Sequence, residues 1–231
     1  MNTGKIIETN RLYLIPGKNS RDDEAFIKML RQDGNFREFT GLEFKEKHLE
    51  GFRNYFDNRP FDTLEEMHNY IKEKWNRKIT NGDTVYILGD VALCGINTKL
   101  IALVAQLKVH KILIKGNHDD VRDLRYSNLF DEIVEYKEVT DTLNKQTVKL
   151  VLSHYPILMW KGQHRETILL YGHVHNTFEN EFYQECLKRL HELNKLKNDN
   201  APQISAYNVG AMMSYMNYEP RTLQEIVDGC R

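Results

Sequence analysis

The sequence predicts an α/β protein built on sheet that is covered on both faces, and three observations carry that reading. Four segments, TVYILGD, KILIKGNH, VKLVLSHYP and TILLYGHVH, are apolar runs rich in β-branched residues, and each ends on Gly or Ser beside Asp, Asn or His. Near-continuous apolar strands belong to sheets with no solvated face. Between the first two, residues 97–107 place Leu100, Ile101, Leu103, Val104 and Leu107 at helical spacing, and the segment ahead of the first strand does the same with Leu64, Met67, Ile71, Trp75 and Ile79.

Taken in order, KIIETNRLYLI (residues 5–15) alternates well enough for one or two short strands, and residues 22–31 carry Ala25, Phe26, Met29 and Leu30 in a helical pattern. A mixed charged and aromatic stretch follows to about Phe56. Thr63 and Glu66 form a capping box that opens the Leu64–Ile79 helix. Beyond the four apolar runs, residues 179–196 form an amphipathic helix, residues 198–202 a loop and ISAYNVG a further strand. Thr222 with Glu225 caps a last short helix.

The 231 residues suit one main domain with a substantial core. With 41% hydrophobic and 28% charged residues and a formal net charge of −1, the chain carries no overall field that would recruit nucleic acid. No apolar run approaches a membrane span, and MNTGKIIETNR lacks a secretory apolar stretch, so a cytoplasmic protein without a membrane partner is expected. Cys94, Cys186 and Cys230 are odd in number and contain no CxxC pair, which argues against a disulfide framework or a thiolate zinc site.

The polar strand ends carry the chemistry. Alone, Asp90 reads equally as a turn residue, Asn117 as a left-handed turn and His154 as a satisfied core histidine. Together the strand ends deliver Asp90, Asn117, His118, His154, His173 and His175 to the kind of sheet edge where α/β proteins build their sites. Imidazole nitrogen with Asp or Asn oxygen, and no thiolate, suits zinc, manganese, iron or nickel. On an extended segment, His173 and His175 share one side while Val174 points away, so the two imidazoles can address neighbouring ions.

The ordered set GD, GNHD, SHYP, GHVH resembles the calcineurin-like metallophosphoesterases, from about Asn58 to the C-terminus, and NRPFDTLEEMHNYIKEKWN and NVG are similar to its small bacterial and phage members. The resemblance implies a four-layer α/β/β/α sandwich with a binuclear metal centre that hydrolyses phosphate esters. It implies that Asp90 bridges both ions, that Asn117, His154 and His173 complete the second site, and that His175 belongs to the first. His118 would then stand near the phosphate as general acid or transition-state stabiliser, oriented by Asp119, with phosphate mono- or diesters as substrates.

The sequence departs from that family at its start. The family's first strand ends in Asp, any residue, His, and no such element is present. Placing His48 on the family's following histidine sets Glu43 over the Asp and Lys45 over the first His, and a lysine ammonium has no lone pair for a metal. Residues 1–56, with ETNRLYLIP, DDEAFIKML and FREFTG, instead resemble the opening of a GNAT acetyltransferase, without that family's glycine-rich acetyl-CoA loop. The expected organisation is therefore 1–56 as a GNAT-like or divergent segment and 57–231 as the phosphoesterase domain, its first strand missing or replaced. One tightly held divalent ion is expected, with a second held weakly. A pseudoenzyme that binds a metal or a phosphorylated ligand is the rival reading.

Overall fold

The computed structural model describes residues 5–7, 60–61, 64–91, 96, 98–107 and 109–230. Two four-stranded sheets organise them. The first has the order β1 (Lys5–Ile7), β2 (Thr84–Ile87), β3 (His110–Ile114), β4 (Glu132–Val134), and all its strands are parallel. The second has the order β5 (Tyr136–Leu143), β6 (Gln146–Ser153), β7 (Ile168–Tyr171), β8 (Ala206–Asn208). Strands β5 and β6 form an antiparallel hairpin, and the remaining pairs are parallel. The hairpin turns on Asn144 and Lys145, both at positive φ (49° and 63°). Two left-handed residues in sequence match the twist of the flanking strands.

The helices are α1 (Leu64–Lys78), α2 (Thr98–Ala105), α3 (Leu124–Ser127), α4 (Phe178–Lys197) and α5 (Leu223–Gly229). The predicted stripe of α1 is its buried face: Met67, Ile71 and Trp75 lie in the core, and Ile79 continues it just past the helix. Glu65 and Glu66 in its first turn and Arg77 and Lys78 in its last complement the helix dipole. At α5 the capping box forms as expected: Thr222 Oγ1 accepts from Glu225 N (3.3 Å), and Glu225 Oε2 accepts from Thr222 N (2.7 Å). Thr63, the cap expected for α1, lies outside the described residues, as do Cys94 and the helix expected over residues 22–31.

Strand periodicity sorts the side chains into two cores. Ile87 lines a small cavity with Ile71 of α1 and Leu103 and Val104 of α2, so that face of β2 looks toward the helices. In the second sheet Leu150, Leu152, Ile168 and Leu170 join this same core, whereas Val151, Leu169 and Tyr171 pack with Tyr183 and Leu187 of α4 in a separate one. The layers run α1 and α2, first sheet, second sheet, α4, the four-layer α/β/β/α arrangement. Of the KIIETNRLYLI segment, Lys5–Ile7 is a strand, paired in parallel with Val85–Ile87 at the edge of the first sheet. Among the described residues no helix is long and apolar enough to cross a membrane.

One polar group is embedded in the helix-facing core. His68 of α1 is 8% exposed, its Nε2 makes no hydrogen bond, and burial pulls its pKa down to about 4. It lines the cavity with Lys72, a neighbouring cation, and six apolar residues. A histidine whose folded pKa is depressed binds its proton more readily unfolded, so its contribution is complete above about pH 6.5 and is lost as pH falls toward 4. Urea unfolding at pH 8 and pH 5 should show the protein losing about 2 kcal/mol through this residue alone. The His68→Leu variant should lose that much less over the same interval; an equal loss in both proteins would remove His68 from the acid response.

Candidate metal centre

The site forms where four strands end. Strand β2 runs into Gly89 and Asp90, β3 into Gly116, Asn117, His118 and Asp119, β6 into His154, and β7 into the 172–177 turn. Gly89 (φ 86°) and Asp90 (φ 54°) are consecutive left-handed residues, which turn the chain sharply at the sheet edge. A methyl group on Gly89 would lie 2.5 Å from His154 Nδ1 and 2.6 Å from Gly116 N. One on Gly116 would lie 2.3 Å from Asp90 Oδ1 and 2.9 Å from His154 Cε1. The three loops meet at distances only glycine permits.

His154 is 1% exposed, and its Nδ1 lies 2.7 Å from Leu88 O. A carbonyl can only accept, so Nδ1 carries a proton, and in the neutral form of the ring this tautomer leaves the lone pair at Nε2. That nitrogen faces Asn117 Oδ1 at 3.1 Å, His173 Nδ1 at 3.2 Å and Asp90 Oδ2 at 3.4 Å. Asp90 is wholly buried; its Oδ1 accepts from His118 N (2.9 Å), while Oδ2 accepts no hydrogen bond. In that tautomer His154 offers no proton to the Asn117 and Asp90 oxygens it faces, and a buried carboxylate oxygen without a donor is costly. Positive charge placed among them removes that penalty.

The spacing also fits a metal ion. Zinc bonds of 2.0–2.2 Å to nitrogen and oxygen put tetrahedral ligands roughly 3.3–3.5 Å apart. The separations about His154 Nε2, 3.1, 3.2 and 3.4 Å, are close to that spacing, and the candidate ligand atoms of Asp90, His154 and His173 lie within 4.8 Å of one another. The donor set, two imidazoles with a carboxylate and an amide oxygen, is chemically able to hold zinc, manganese, iron or nickel. His175, also buried, lies outside this three-residue group.

Two expectations require correction. The His173–His175 segment is a turn, not an extended strand: both histidines have positive φ (69° and 50°), Val174 N bonds Gly172 O at 2.8 Å, and Thr177 N bonds Val174 O at 3.4 Å. Val174 does point away, into the α4 core, but it does so through this turn. The second concerns Asp119, expected to orient His118. Its Oδ2 accepts from Asp90 N (2.8 Å) and Gly116 N (2.9 Å), and its Oδ1 from Val91 N (3.0 Å) and Tyr126 Oη (2.6 Å). With four donors on two oxygens, Asp119 binds the β2 loop to the β3 loop.

Sequence reasoning also passed over several supports. Asn208 donates to His175 O (2.6 Å) and to Asn180 Oδ1 (3.0 Å) while accepting from Gly210 N (2.9 Å), which gives the NVG segment its role behind the histidine turn. Tyr155, half-exposed, packs against both His154 and His173, with ring centroids 4.9 and 4.6 Å away. Its position next to His154 was the one available signal. Glu43, Lys45 and His48 lie outside the described residues.

With this geometry in hand, comparison with known proteins is informative. Residues 48–207 match the calcineurin-like phosphoesterases. The chain belongs to that family. It is 27% identical over 129 residues to the Gene 66 protein of Mycobacterium phage D29, a match covering 46% of this chain and 65% of the phage protein. It is 32% identical over 92 residues to the uncharacterized protein MJ1445 of Methanocaldococcus jannaschii, covering 38% of this chain and 52% of that one. These matches therefore span less than two thirds of either relative. Among solved structures, the protein of unknown function AQ665 from Aquifex aeolicus aligns with a TM-score of 0.52 at 22% identity, covering 78% of this chain and 91% of that one. That likeness establishes the fold alone. Family membership brings a metal-dependent phosphoesterase fold.

The contacts of Gly116 generate a direct test of the site. Gly116→Ala pushes a methyl group into Asp90 and His154, and isothermal titration with zinc should show divalent-ion affinity at least ~10-fold weaker, the usual scale for displacing groups that hold metal ligands. Unchanged affinity would mean that the three loops are not packed as described.

Proposed function

We propose that the protein is a metal-dependent phosphoesterase that hydrolyses phosphomono- or phosphodiesters with water as nucleophile. The observation that carries this is the convergence of Asp90 Oδ2, Asn117 Oδ1 and His173 Nδ1 on the bare Nε2 of His154. In this reading those four residues hold the tight ion, and His175 with Asp90 contributes to a weaker second position. A bound divalent ion would supply Lewis acidity toward a phosphate oxygen and lower the pKa of a water to give hydroxide at neutral pH.

The chain's own residues do the rest. Asp90 supplies the negative charge that anchors the centre and, through Oδ1, fixes the backbone of His118. The His118 imidazole, partly exposed beside the centre, holds the proton that passes to the leaving oxygen as the phosphorus–oxygen bond breaks. Leu88 O keeps the His154 tautomer that leaves Nε2 available. Residues 57–231 carry this chemistry in a cytoplasmic protein, and residues 1–56 are a GNAT-like or divergent segment that lends the Lys5–Ile7 strand to the first sheet and does not bind acetyl-CoA.

Two measurements test this. An activated phosphodiester and phosphomonoester assayed with added manganese, nickel or zinc should be turned over, and His118→Ala should cut the rate by about 10²–10⁴ while leaving metal bound. No turnover above that variant would favour a catalytically silent module that binds a metal or phosphorylated ligand. Elemental analysis after exhaustive dialysis should return about one equivalent of metal per chain, lost in His154→Ala and largely kept in His175→Ala. Two retained equivalents would show that the first position has ligands beyond Asp90 and His175.

A further inference from the structure

We infer that Tyr126 is a positioning residue of the metal centre, acting through Asp119 to hold the Asp90 and Asn117 loops in register. This inference rests on the metal-centre reading of Asp90, Asn117, His154 and His173. The local sequence aims the tyrosine. Asp123 caps the four-residue helix α3 by accepting from Arg125 N (2.9 Å), and the helix carries Tyr126 inward. Its ring is fully buried and packs edge-on to Phe130, with centroids 5.1 Å apart. Its hydroxyl donates to Asp119 Oδ1 at 2.6 Å, and burial, reinforced by the Asp119 carboxylate, raises the phenol far above its ordinary pKa, so it stays a donor.

The carboxylate it holds is the junction of the site. Asp119 is 4% exposed, and three of its four hydrogen bonds go to main-chain amides on two different loops. Asp90 N and Val91 N belong to the loop that presents the Asp90 carboxylate, and Gly116 N to the loop that presents Asn117. The Asp90 loop departs from regular backbone, Gly89 and Asp90 being left-handed at φ 86° and 54°, and so needs an external restraint. A carboxylate that rotates about its Cβ–Cγ bond would serve the amides poorly. Tyr126 supplies the donor from below that fixes the plane of the carboxylate. The hydroxyl is neither a metal ligand nor a substrate contact, and it reaches the Asp90 main chain through two successive hydrogen bonds.

The test uses the full chain with cobalt(II) as a spectroscopic probe. Tyr126→Phe keeps the ring against Phe130 and removes only the hydroxyl. Tyr183→Phe is the matched control: Tyr183 is buried in the α4 core and donates to Ile157 O at 2.6 Å, so the same deletion is made away from Asp119. Competition against a chromophoric chelator should show cobalt affinity ~10-fold weaker in Tyr126→Phe, with changed d–d band intensities, and within twofold of the unmodified chain in Tyr183→Phe. Metal-free thermal unfolding should be lowered to a similar extent in both. Unchanged affinity and spectrum in Tyr126→Phe, or equal losses in the two variants, would overturn the positioning role while leaving the metal centre standing. Failure of the unmodified chain to bind cobalt would overturn both.

Discussion

The structure turns on a buried carboxylate that lacks enough hydrogen-bond donors. Asp90 has no exposed surface, and its Oδ2 accepts no hydrogen bond while standing 3.4 Å from a histidine nitrogen whose proton is on the opposite side of the ring. Among the described residues the other buried carboxylates are compensated: Asp119 takes four donors, and the largely buried Glu219 sits among Lys74, Lys78 and Arg221. Asp90 alone of these is left with an oxygen aimed at other lone pairs. Leaving a buried charge uncompensated costs several kcal/mol, more than a marginally stable domain tolerates without return. A cation held by the same atoms would supply that compensation.

Much of the surrounding architecture reads as the means of holding those atoms still. Asp90, His173 and His175 all adopt left-handed backbone, a conformation that stands about 1–2 kcal/mol above the helical basin for a residue with a side chain. Each is restrained by groups whose side chains face inward: Asp119 behind Asp90, and Asn208 behind the histidine turn. Gly89 and Gly116 let the loops approach until no methyl group fits between them. The two sheets make this possible, because both deliver the ends of parallel strands to the same edge, so loops distant in sequence meet over a few ångströms.

The fold and the donor inventory were legible in the sequence for a simple physical reason. Strand segments buried on both faces must be apolar, so the largely buried residues 85–88, 112–114 and 150–152 and the strand Ile168–Tyr171 stand out, and the polar residues after them are conspicuous. The α1 stripe and the Thr222 capping box are local patterns and formed as written. What failed were inferences that depend on tertiary contacts. Whether His173–Val174–His175 is extended or turned is decided by Asn208, more than thirty residues away, which holds the His175 carbonyl. The work of Asp119 is decided by amides of residues 90 and 91 and by a tyrosine on a four-residue helix too short to announce itself. The pairing of Lys5–Ile7 with β2 was within reach of the sequence, because KIIETNRLYLI alternates as a strand and a sheet that lacks its usual first strand leaves unpaired backbone groups for it to fill.

The central claim is that four lone-pair atoms from three strand ends and the β7 turn share one cation. A crystal of the protein soaked in a manganese or zinc salt, measured at the metal's absorption edge, tests it most directly. The account predicts an anomalous peak enclosed by Asp90 Oδ2, Asn117 Oδ1, His154 Nε2 and His173 Nδ1, about 2.0–2.3 Å from each. A well-ordered site with no peak there, and His154 donating a proton to Asp90 instead, would contradict it.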